Sequence, residues 1–253
     1  MFRLDGKVAV VVGGGGGIGK SLAKGLACQG AKVAIASRNL EALREVAGEL
    51  QSETGSEVVA FQVDVTDEKS VTTLANEVKS GFGTVDILIN SHGWNVKKPA
   101  TEFSVQDWDL LFNVNVRGVM LACREFGKIM IDKRKGKIIN ISSVRGVRAT
   151  KWSGNVGYCA TKSAVDMITR TLAAEWAPYN INVNAIAPAI VDTGFAPTLK
   201  DPQRLKMYVE NIPMGRIAKP EDVVGTCIFL ASPASDFITG QIIYVDGGLT
   251  SIG

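Results

Sequence analysis

The chain has 253 residues, with 28 Lys and Arg against 25 Asp and Glu, and a formal net charge of +3. It contains no basic block and no basic stripe interleaved with aromatic residues, which argues against nucleic-acid binding. No apolar run approaches the ~20 residues of a membrane span, and the first strand pattern begins too early to leave room for a signal peptide. We expect a cytoplasmic protein that binds neither nucleic acid nor membrane.

The four cysteines and the single histidine, His92, are scattered along the chain and do not have the spacing of a zinc site. No two cysteines form a C-x-x-C pair. We therefore predict no metal centre, and free, mostly buried thiols in a reducing compartment.

Seven apolar runs alternate with amphipathic segments along the whole chain. The strand-like runs are KVAVVV, AKVAIAS, EVVAFQVD, VDILIN, GKIINIS, INVNAIA and QIIYVD. Helical patterns lie at about residues 17–29, 40–53, 68–82, 105–132, 156–177 and 220–230. Continuous apolar strands separated by helices predict one α/β domain over residues 1–253, a doubly wound parallel sheet of about seven strands with helices on both faces.

The first apolar run leads into the stretch VVGGGGGIGKS, which fits two kinds of phosphate-binding loop. From Gly14 it reads G-x-x-x-x-G-K-S, the loop that holds a nucleoside triphosphate, and Asp64 after a later strand is then a candidate Mg²⁺ ligand. From Gly13 to Gly19 it reads as the glycine turn of a dinucleotide-binding unit. Both loops use glycines that admit a phosphate and a helix whose first N–H groups face the anion. The turn alone leaves both interpretations open.

The end of the second apolar run bears on which dinucleotide binds. A carboxylate there binds the ribose 2′-hydroxyl of NAD, whereas a nearby arginine accommodates the 2′-phosphate of NADP. This run ends in Ser37 and Arg38 and offers no acid. A hydroxyl and a guanidinium suit a phosphate, so we predict NADP(H). NAD(H) is the alternative if Arg38 is a solvated surface residue.

Tyr158 and Lys162 stand four residues apart in the helical segment GYCATKSAVDMITRTLAAEWAP. This spacing places both side chains on one face of a helix. A phenol titrates near ~10, and a nearby ammonium lowers its pKa by stabilising the phenolate, which would make Tyr158 a general acid/base. Upstream, GKIINISSV ends a predicted strand with Ser142 and Ser143 at the carboxyl edge of the sheet, where the glycine turn also opens.

Taken in chain order, these motifs resemble the short-chain dehydrogenase/reductase family over essentially the whole chain. They are the turn ending Gly17-Ile18-Gly19, the acid of VDV, Asn-x-x-Gly after the fourth strand, the asparagine of FNVNVRG, the strand-end serine, Tyr-x-x-x-Lys, Asn-Ala-x-x-Pro and a closing VDGG. The resemblance implies a Rossmann fold. It also implies hydride transfer between NADP(H) and a ketone or secondary alcohol.

The resemblance further implies roles for single residues. Ser143 would hydrogen-bond the substrate carbonyl, and Tyr158 would exchange its proton. Lys162 would tune Tyr158 and hold the nicotinamide ribose, while Asn115 would position a water that links Lys162 to solvent. The implied cofactor contacts are Gly13, Gly17, Ile18, Gly19, Ser37, Arg38, Asp64, Val65, Asn90, Gly93, Tyr158, Lys162, Pro188 and Thr193.

Residues 188–216 are the longest interval without a clear strand or long-helix pattern, and they leave the carboxyl edge of the sheet, so we predict a substrate lid there. Side chains expected near the substrate are Trp94, Lys97, Lys98, Arg145, Arg148, Lys151 and Trp152. The basic ones suit a carboxylate or phosphate, unless they are solvated surface charges. The predicted substrate is a small carbonyl compound, sugar, polyol or keto acid.

Other functions remain open at this point. Some family members reduce 3-oxoacyl chains on an acyl carrier protein with a basic residue at the end of the catalytic helix, where this chain has Tyr179 and Asn180. Other proteins of this fold only sense a dinucleotide and lack the Tyr-Lys pair. Ser91-His92 replaces the Asn-Ala usual in the family, and we interpret His92 as a packing or hydrogen-bonding residue. The resemblance also implies a homotetramer, or a homodimer.

Overall fold

The computed structural model describes residues 1–149, 154–194 and 199–252, and its strands form one parallel sheet. The strands are β1 (Val8–Val12), β2 (Lys32–Ser37), β3 (Val58–Gln62), β4 (Ile87–Asn90), β5 (Gly136–Ile141), β6 (Ile181–Pro188) and β7 (Ile242–Val245). Their order is β3-β2-β1-β4-β5-β6-β7. The predicted seven-stranded, doubly wound sheet is confirmed.

The α-helices of the described residues lie between the strands, on both faces of the sheet. They are α1 (Gly17–Cys28), α2 (Leu40–Thr54), α3 (Glu68–Phe82), α4 (Val105–Phe112), α5 (Gly118–Asp132), α6 (Val156–Trp176), α7 (Pro202–Glu210) and α8 (Glu221–Ala231). The single helix predicted over residues 105–132 is divided, because a π-helical segment, Asn113–Arg117, joins α4 to α5. π-Helical segments are rare in proteins, and those that do occur often lie at functional sites.

The central strand β1 shows why these runs are apolar throughout. Successive side chains of a strand point to opposite faces, and both faces here are covered by helices. Ala9 and Val11 belong to one buried cluster, with residues of α1, α2 and α8. Val10 and Val12 belong to another, with residues of α3, α5 and α6. All five residues of β1 are buried.

The carboxyl ends of β1 and β4 form the point where the strand order reverses. Val12 pairs with Asn90, so the segments that follow these two strands leave the sheet side by side. From β1 the chain continues to β2 on one side, while β4 is followed by β5 on the other. The crevice at such a point is where ligands bind in doubly wound sheets.

The interval 188–216 contains helix α7, which the sequence analysis did not predict. Asp201 caps this helix, because its side chain accepts a hydrogen bond of 2.9 Å from the Gln203 N–H, and Pro202 occupies the first helical position. A capping Asp followed by Pro is a helix-start signal. It was missed because the interval contains other prolines, which are typical of segments without regular structure. Residues 195–198 of the predicted lid lie outside the described residues, as do Lys151 and Trp152.

Within the described parts of the chain, no helix is long and apolar enough to cross a membrane. Nor does any group of three His, Cys, Asp or Glu side chains among those residues have a metal-binding arrangement. All four cysteines are free, with Cys123 and Cys227 buried and Cys28 exposed.

Candidate active site

The glycine turn between β1 and α1 has no space for side chains at two positions. Gly13 has a φ of 88°, and a Cβ there would lie 2.6 Å from the backbone nitrogen of His92. A Cβ on Gly19 would overlap the carbonyl oxygen of Gly13. Helix α1 begins after Gly16, which supplies no side-chain cap. The first N–H groups of α1 are therefore available to an anion, and the turn fits the pyrophosphate of a dinucleotide.

The alternative interpretation of this turn, as a triphosphate loop, is not supported. The Lys20 ammonium lies 2.7 Å from Oε2 of Glu49 on α2. The Ser21 hydroxyl donates to Oε1 of Glu221 on α8, at 3.2 Å. In a triphosphate loop the lysine reaches the β- and γ-phosphates and the hydroxyl binds Mg²⁺. Both side chains here instead connect α1 to neighbouring helices.

A hydroxyl and a guanidinium lie beside the turn at the end of β2. A Cβ on Gly15 would lie 3.6 Å from Oγ of Ser37, so this hydroxyl borders the turn. Arg38 follows and is exposed. Hydrogen bonds from Thr66 lower the pKa of Asp64, and the nearby charge of Arg38 lowers it further. The residues predicted to hold the adenosine half of the cofactor therefore adjoin one another.

The nicotinamide half of the predicted site corresponds to a cavity of about 340 Å³ at the carboxyl edge of the sheet. The predicted residues that line it are Ile18, Gly93, Ser143, Tyr158, Lys162, Pro188 and Thr193. They come from α1, from α6 and from the ends of β4, β5 and β6. A larger cavity, of about 650 Å³, lies at the opposite edge of the sheet and includes no predicted site residue.

The catalytic pair predicted on α6 lies inside this cavity. The buried Lys162 donates from Nζ to the carbonyl of Ile141 at 2.7 Å, and Nζ is 5.6 Å from the centre of the Tyr158 ring. Burial lowers the pKa of Lys162 to about 8, against the opposing influence of Asp166. Burial raises the pKa of Tyr158 to about 12, and its hydrogen bond with Ser143 acts in the opposite direction.

The predicted downward shift of the Tyr158 pKa is therefore wrong for this structure. The sequence analysis expected the ammonium of Lys162 to lower it, but the loss of solvation of the phenolate outweighs any such effect. Near neutral pH the Tyr158 hydroxyl carries its proton and can donate a hydrogen bond to a carbonyl oxygen.

Asn115 lies in the π-helical segment and is almost fully buried, at 1% exposure. Its Nδ2 donates to the Trp94 carbonyl at 2.8 Å and to Oγ1 of Thr161 at 3.1 Å. Its Oδ1 accepts from the Trp94 N–H at 2.7 Å. The side chain thus connects the loop after β4 to α6. That Asn115 positions a water molecule stays a prediction.

Two predicted cofactor residues direct their side chains elsewhere. Asn90 donates from Nδ2 to Oδ1 of Asn140 at 2.9 Å and so braces β4 against β5. Val65 is buried in a hydrophobic cluster and packs near Gly118. The Asn90 side chain keeps only Oδ1 without a partner, and that atom is buried, whereas Val65 offers a cofactor only its backbone polar atoms.

The histidine next to this site is neutral. Burial lowers the pKa of His92 to about 3, and the charge of Lys162 lowers it further. Neither ring nitrogen has a hydrogen-bond partner among the described residues. A Cβ on residue 118 would lie 3.0 Å from Nε2 of His92, so Gly118 makes room for the ring. Of the two predicted roles of His92, packing or hydrogen bonding, this environment agrees with packing.

The basic residues expected near the substrate separate into two groups. Lys98 forms an ion pair of 2.6 Å with Asp107, and Arg148 donates to the Leu249 carbonyl, so both have structural partners. Lys97 is different. It is exposed, and its pKa is lowered by partial loss of solvation and then by the charges of Arg204 and Arg145.

Arg204 lies on α7, and the sequence analysis did not include it among the substrate contacts. Its charge lowers the pKa of Lys97 from a segment distant in sequence, an influence for which the local sequence carries no signal.

Comparisons with known proteins agree with this arrangement. A family model described as enoyl-(acyl carrier protein) reductase matches residues 13–250. D-threitol dehydrogenase of Mycolicibacterium smegmatis is 38% identical over 249 residues, covering 98% of this chain and 95% of that protein. NAD-dependent glycerol dehydrogenase of Listeria innocua is 36% identical, covering 98% and 96%. The crystal structure of a gluconate 5-dehydrogenase from Burkholderia cenocepacia J2315, in complex with NADP and tartrate, has a TM-score of 0.95 at 38% identity and covers 100% and 98%.

Proposed function

The chain belongs to the short-chain dehydrogenase/reductase family, and from this premise we propose that it interconverts a secondary alcohol and a ketone on a polyol, sugar or sugar acid, with NADP(H). The observation that carries the proposal is the meeting of Ser143, Tyr158 and Lys162 in one cavity beside the glycine turn. A protein that only senses a dinucleotide has no use for this set of groups, so the sensor alternative is disfavoured.

In the direction of reduction, Tyr158 supplies the proton. Its pKa of about 12 keeps the hydroxyl protonated near neutral pH, ready to be donated to a carbonyl oxygen. Ser143 offers a second hydroxyl to the same oxygen, so two donors meet the charge that develops there. The nicotinamide supplies or accepts the hydride. Lys162, which also lines the cavity, would hold the nicotinamide ribose.

The choice of NADP(H) rests on the end of β2. Ser37 and Arg38 provide a hydroxyl and a guanidinium beside the turn, and β2 ends without a carboxylate. A guanidinium binds a phosphate through charge-assisted hydrogen bonds. The relative in complex with NADP supports this choice, whereas the NAD-dependent relative keeps NAD(H) as the alternative.

Polyols and sugar acids are proposed as substrates because the similar proteins are named for threitol, glycerol and gluconate. A second candidate, reduction of a 3-oxoacyl chain on an acyl carrier protein, is favoured by a relative from Aquifex aeolicus that is named 3-oxoacyl-[acyl-carrier-protein] reductase and is 35% identical over 251 residues. Against it, α6 ends at Trp176 and is followed by Tyr179, where such reductases carry a basic residue that docks the acidic carrier.

The proposal is tested with the purified protein in two steps. Titration of the intrinsic tryptophan fluorescence with NADPH, NADH and ATP comes first, and we expect NADPH to bind tightest. Initial rates with alditols, aldonates and a 3-oxoacyl thioester, followed by the absorbance of reduced nicotinamide, then identify the substrate class. A folded protein that binds neither dinucleotide, or transfers hydride to none of these classes, would contradict the proposal.

We also propose that the protein is a cytoplasmic homotetramer, or a homodimer. Its four free thiols suit a reducing compartment. Apolar side chains are exposed on the helices of one face, including Leu110 on α4, Met120 on α5 and Met167 on α6. Such exposed groups favour burial against another copy. Light scattering coupled to size-exclusion chromatography measures the oligomeric state, and a monomer would contradict this part of the proposal.

A further inference from the structure

Two consecutive residues of the loop after β4, Trp94 and Asn95, line the catalytic cavity together with Ser143 and Tyr158. Trp94 has the largest side chain of this lining and is 51% exposed. Asn95 is exposed as well. Neither residue belongs to the predicted cofactor contacts or to the catalytic set, so both are available to the substrate.

The position of Trp94 is fixed through its backbone. The buried Asn115 accepts a hydrogen bond from the Trp94 N–H at 2.7 Å and donates one to the Trp94 carbonyl at 2.8 Å. A large apolar side chain that stays exposed beside a cavity is typical of a binding surface. Because the indole itself takes no part in these two bonds, they persist whatever side chain residue 94 carries.

The side chain of Asn95 is only partly used by the protein. Its Nδ2 donates to Oδ1 of Asn155, the residue before α6, at 3.3 Å. This is its one hydrogen bond within residues 1–149, 154–194 and 199–252. An amide has a second N–H and an oxygen that accepts. Asn95 therefore offers one donor and one acceptor to a ligand in the cavity.

An aromatic face next to an amide suits a chain that has both C–H and hydroxyl groups. The C–H groups of a sugar or polyol pack on the ring, and its hydroxyls exchange hydrogen bonds with the amide. The alkyl chain of a 3-oxoacyl group offers no such partners. It would cover the polar groups of Asn95, Ser143 and Tyr158 without replacing their hydrogen bonds to water, which costs free energy.

We propose that Trp94 stacks on the carbon chain of a sugar or polyol substrate while the Asn95 amide hydrogen-bonds its hydroxyls. The pair selects a polyhydroxylated chain over an alkyl chain of the same length. This inference rests on the proposed function and names the residues that recognise its substrate class.

The test compares substrates that share a secondary hydroxyl and differ in the rest of the chain. Initial rates of oxidation by NADP⁺ are measured for alditols of four to six carbons and for the 2-alkanols of the same lengths. The variants are Trp94→Leu, which keeps an apolar side chain without an aromatic face, and Trp94→Phe, which keeps a ring. Trp108→Leu is the matched control, because Trp108 stacks on Phe112 at 4.7 Å and is not part of the cavity lining.

We expect Trp94→Leu to lower kcat/KM for the alditols by about 3- to 10-fold, the scale of one aromatic contact, mainly through a higher KM. The values for the 2-alkanols should stay near those of the wild type, because leucine packs on an alkyl chain as well as tryptophan does. Trp94→Phe should retain most of the alditol preference, and Trp108→Leu all of it. Circular dichroism and NADPH binding check that each variant is folded.

A second pair of variants separates substrate binding by Asn95 from its bond to Asn155. Asn155→Ala removes that bond and leaves the Asn95 amide in the cavity lining, whereas Asn95→Ala removes both. We expect the alditol preference to fall by about 2- to 10-fold in Asn95→Ala, the scale of one neutral hydrogen bond, and to persist in Asn155→Ala. An equal loss in both variants would overturn the role of Asn95 in recognition.

The stacking by Trp94 is overturned by an alditol preference that survives in Trp94→Leu, or by equal losses for alditols and 2-alkanols. A wild type that prefers the 2-alkanols also overturns it. Turnover of the alditols in the first two cases leaves the proposed function intact. A folded wild type that binds no dinucleotide and oxidises no alcohol of the panel overturns the proposed function instead.

Discussion

The side-chain amide of Asn115 forms two hydrogen bonds with the backbone of Trp94, 2.7 Å from the Trp94 N–H and 2.8 Å to its carbonyl. The side chain thus pairs with both the N–H and the carbonyl of Trp94, as a residue of a neighbouring strand would, and it attaches the loop after β4 to the π-helical segment. The same loop contributes Gly93, Trp94 and Asn95 to the lining of the cavity that contains Tyr158. Asn115 therefore connects the loop after β4 to α6, which carries Tyr158, and a change at this residue affects both.

Asn115→Ala should reduce kcat and loosen this loop together. The substitution leaves the Trp94 N–H and carbonyl without partners, which costs about 1–3 kcal/mol for each buried group that stays unsatisfied. Hydrogen exchange of a peptide that spans residues 91–99 should become faster, as measured by mass spectrometry. Asn113→Ala, in the same π-helical segment, is the matched control. A lower kcat with unchanged exchange would show that Asn115 acts on the chemistry alone.

Tyr158→Phe should lower turnover by about 10²–10⁴-fold, the usual contribution of a positioned proton donor. Cofactor binding should be unchanged, because the phenyl ring keeps the shape of the cavity. Stopped-flow rates and NADPH titration measure the two quantities. Tyr179→Phe, in the 3₁₀ turn after α6, provides a control for the loss of a phenol elsewhere. Near wild-type turnover in Tyr158→Phe would remove Tyr158 from the proton path.

Lys162→Met should abolish turnover while raising the Tm of the cofactor-free protein, most strongly near neutral pH. Lys162 has a pKa of about 8 in the folded chain, below the ~10.4 of an unfolded lysine. Between these values the unfolded state binds more protons, so the wild type gains stability as pH rises through this window. At lower pH both states are protonated, and the folded protein bears the full cost of burying the ammonium.

Methionine carries no charge to bury, so the Tm advantage of Lys162→Met should shrink between about pH 7 and about pH 10. Differential scanning fluorimetry of both proteins across that range makes the comparison. An advantage that is constant with pH would mean that packing, and not the buried charge, separates the two proteins.

Arg38→Asp should shift the preference from NADPH towards NADH. The substitution removes a guanidinium and introduces a carboxylate that repels a 2′-phosphate, and one charge-assisted hydrogen bond corresponds to roughly 10- to 100-fold in affinity. The ratio of dissociation constants, from fluorescence titration, is the quantity to compare. Arg44→Asp on α2 makes the same change in net charge away from the glycine turn. An unchanged ratio in Arg38→Asp would leave the cofactor choice to other residues.

Much of the fold was predictable because its signals are local. Continuous apolar strands such as β1 indicate burial on both faces, and the spacing of Tyr158 and Lys162 places them on one helix face without any tertiary information. The position of the crevice follows from the strand order, since parallel strands end at the same edge. The π-helical segment Asn113–Arg117 was not predictable in this way, because its residues continue an ordinary helical pattern.

The sequence by itself determined the strand and helix alternation, the glycine turn and the set of candidate catalytic side chains, since these depend on residue type and short spacing. Only the tertiary structure decided the state of each ionisable group. Arg148 donates to the Leu249 carbonyl, 101 residues away, whereas the buried Lys162 donates to the Ile141 carbonyl. Burial likewise raises the pKa of Tyr158, whereas the sequence predicted that it would be lowered. Charge pairing and desolvation depend on segments that are distant in sequence, so they are set by folding.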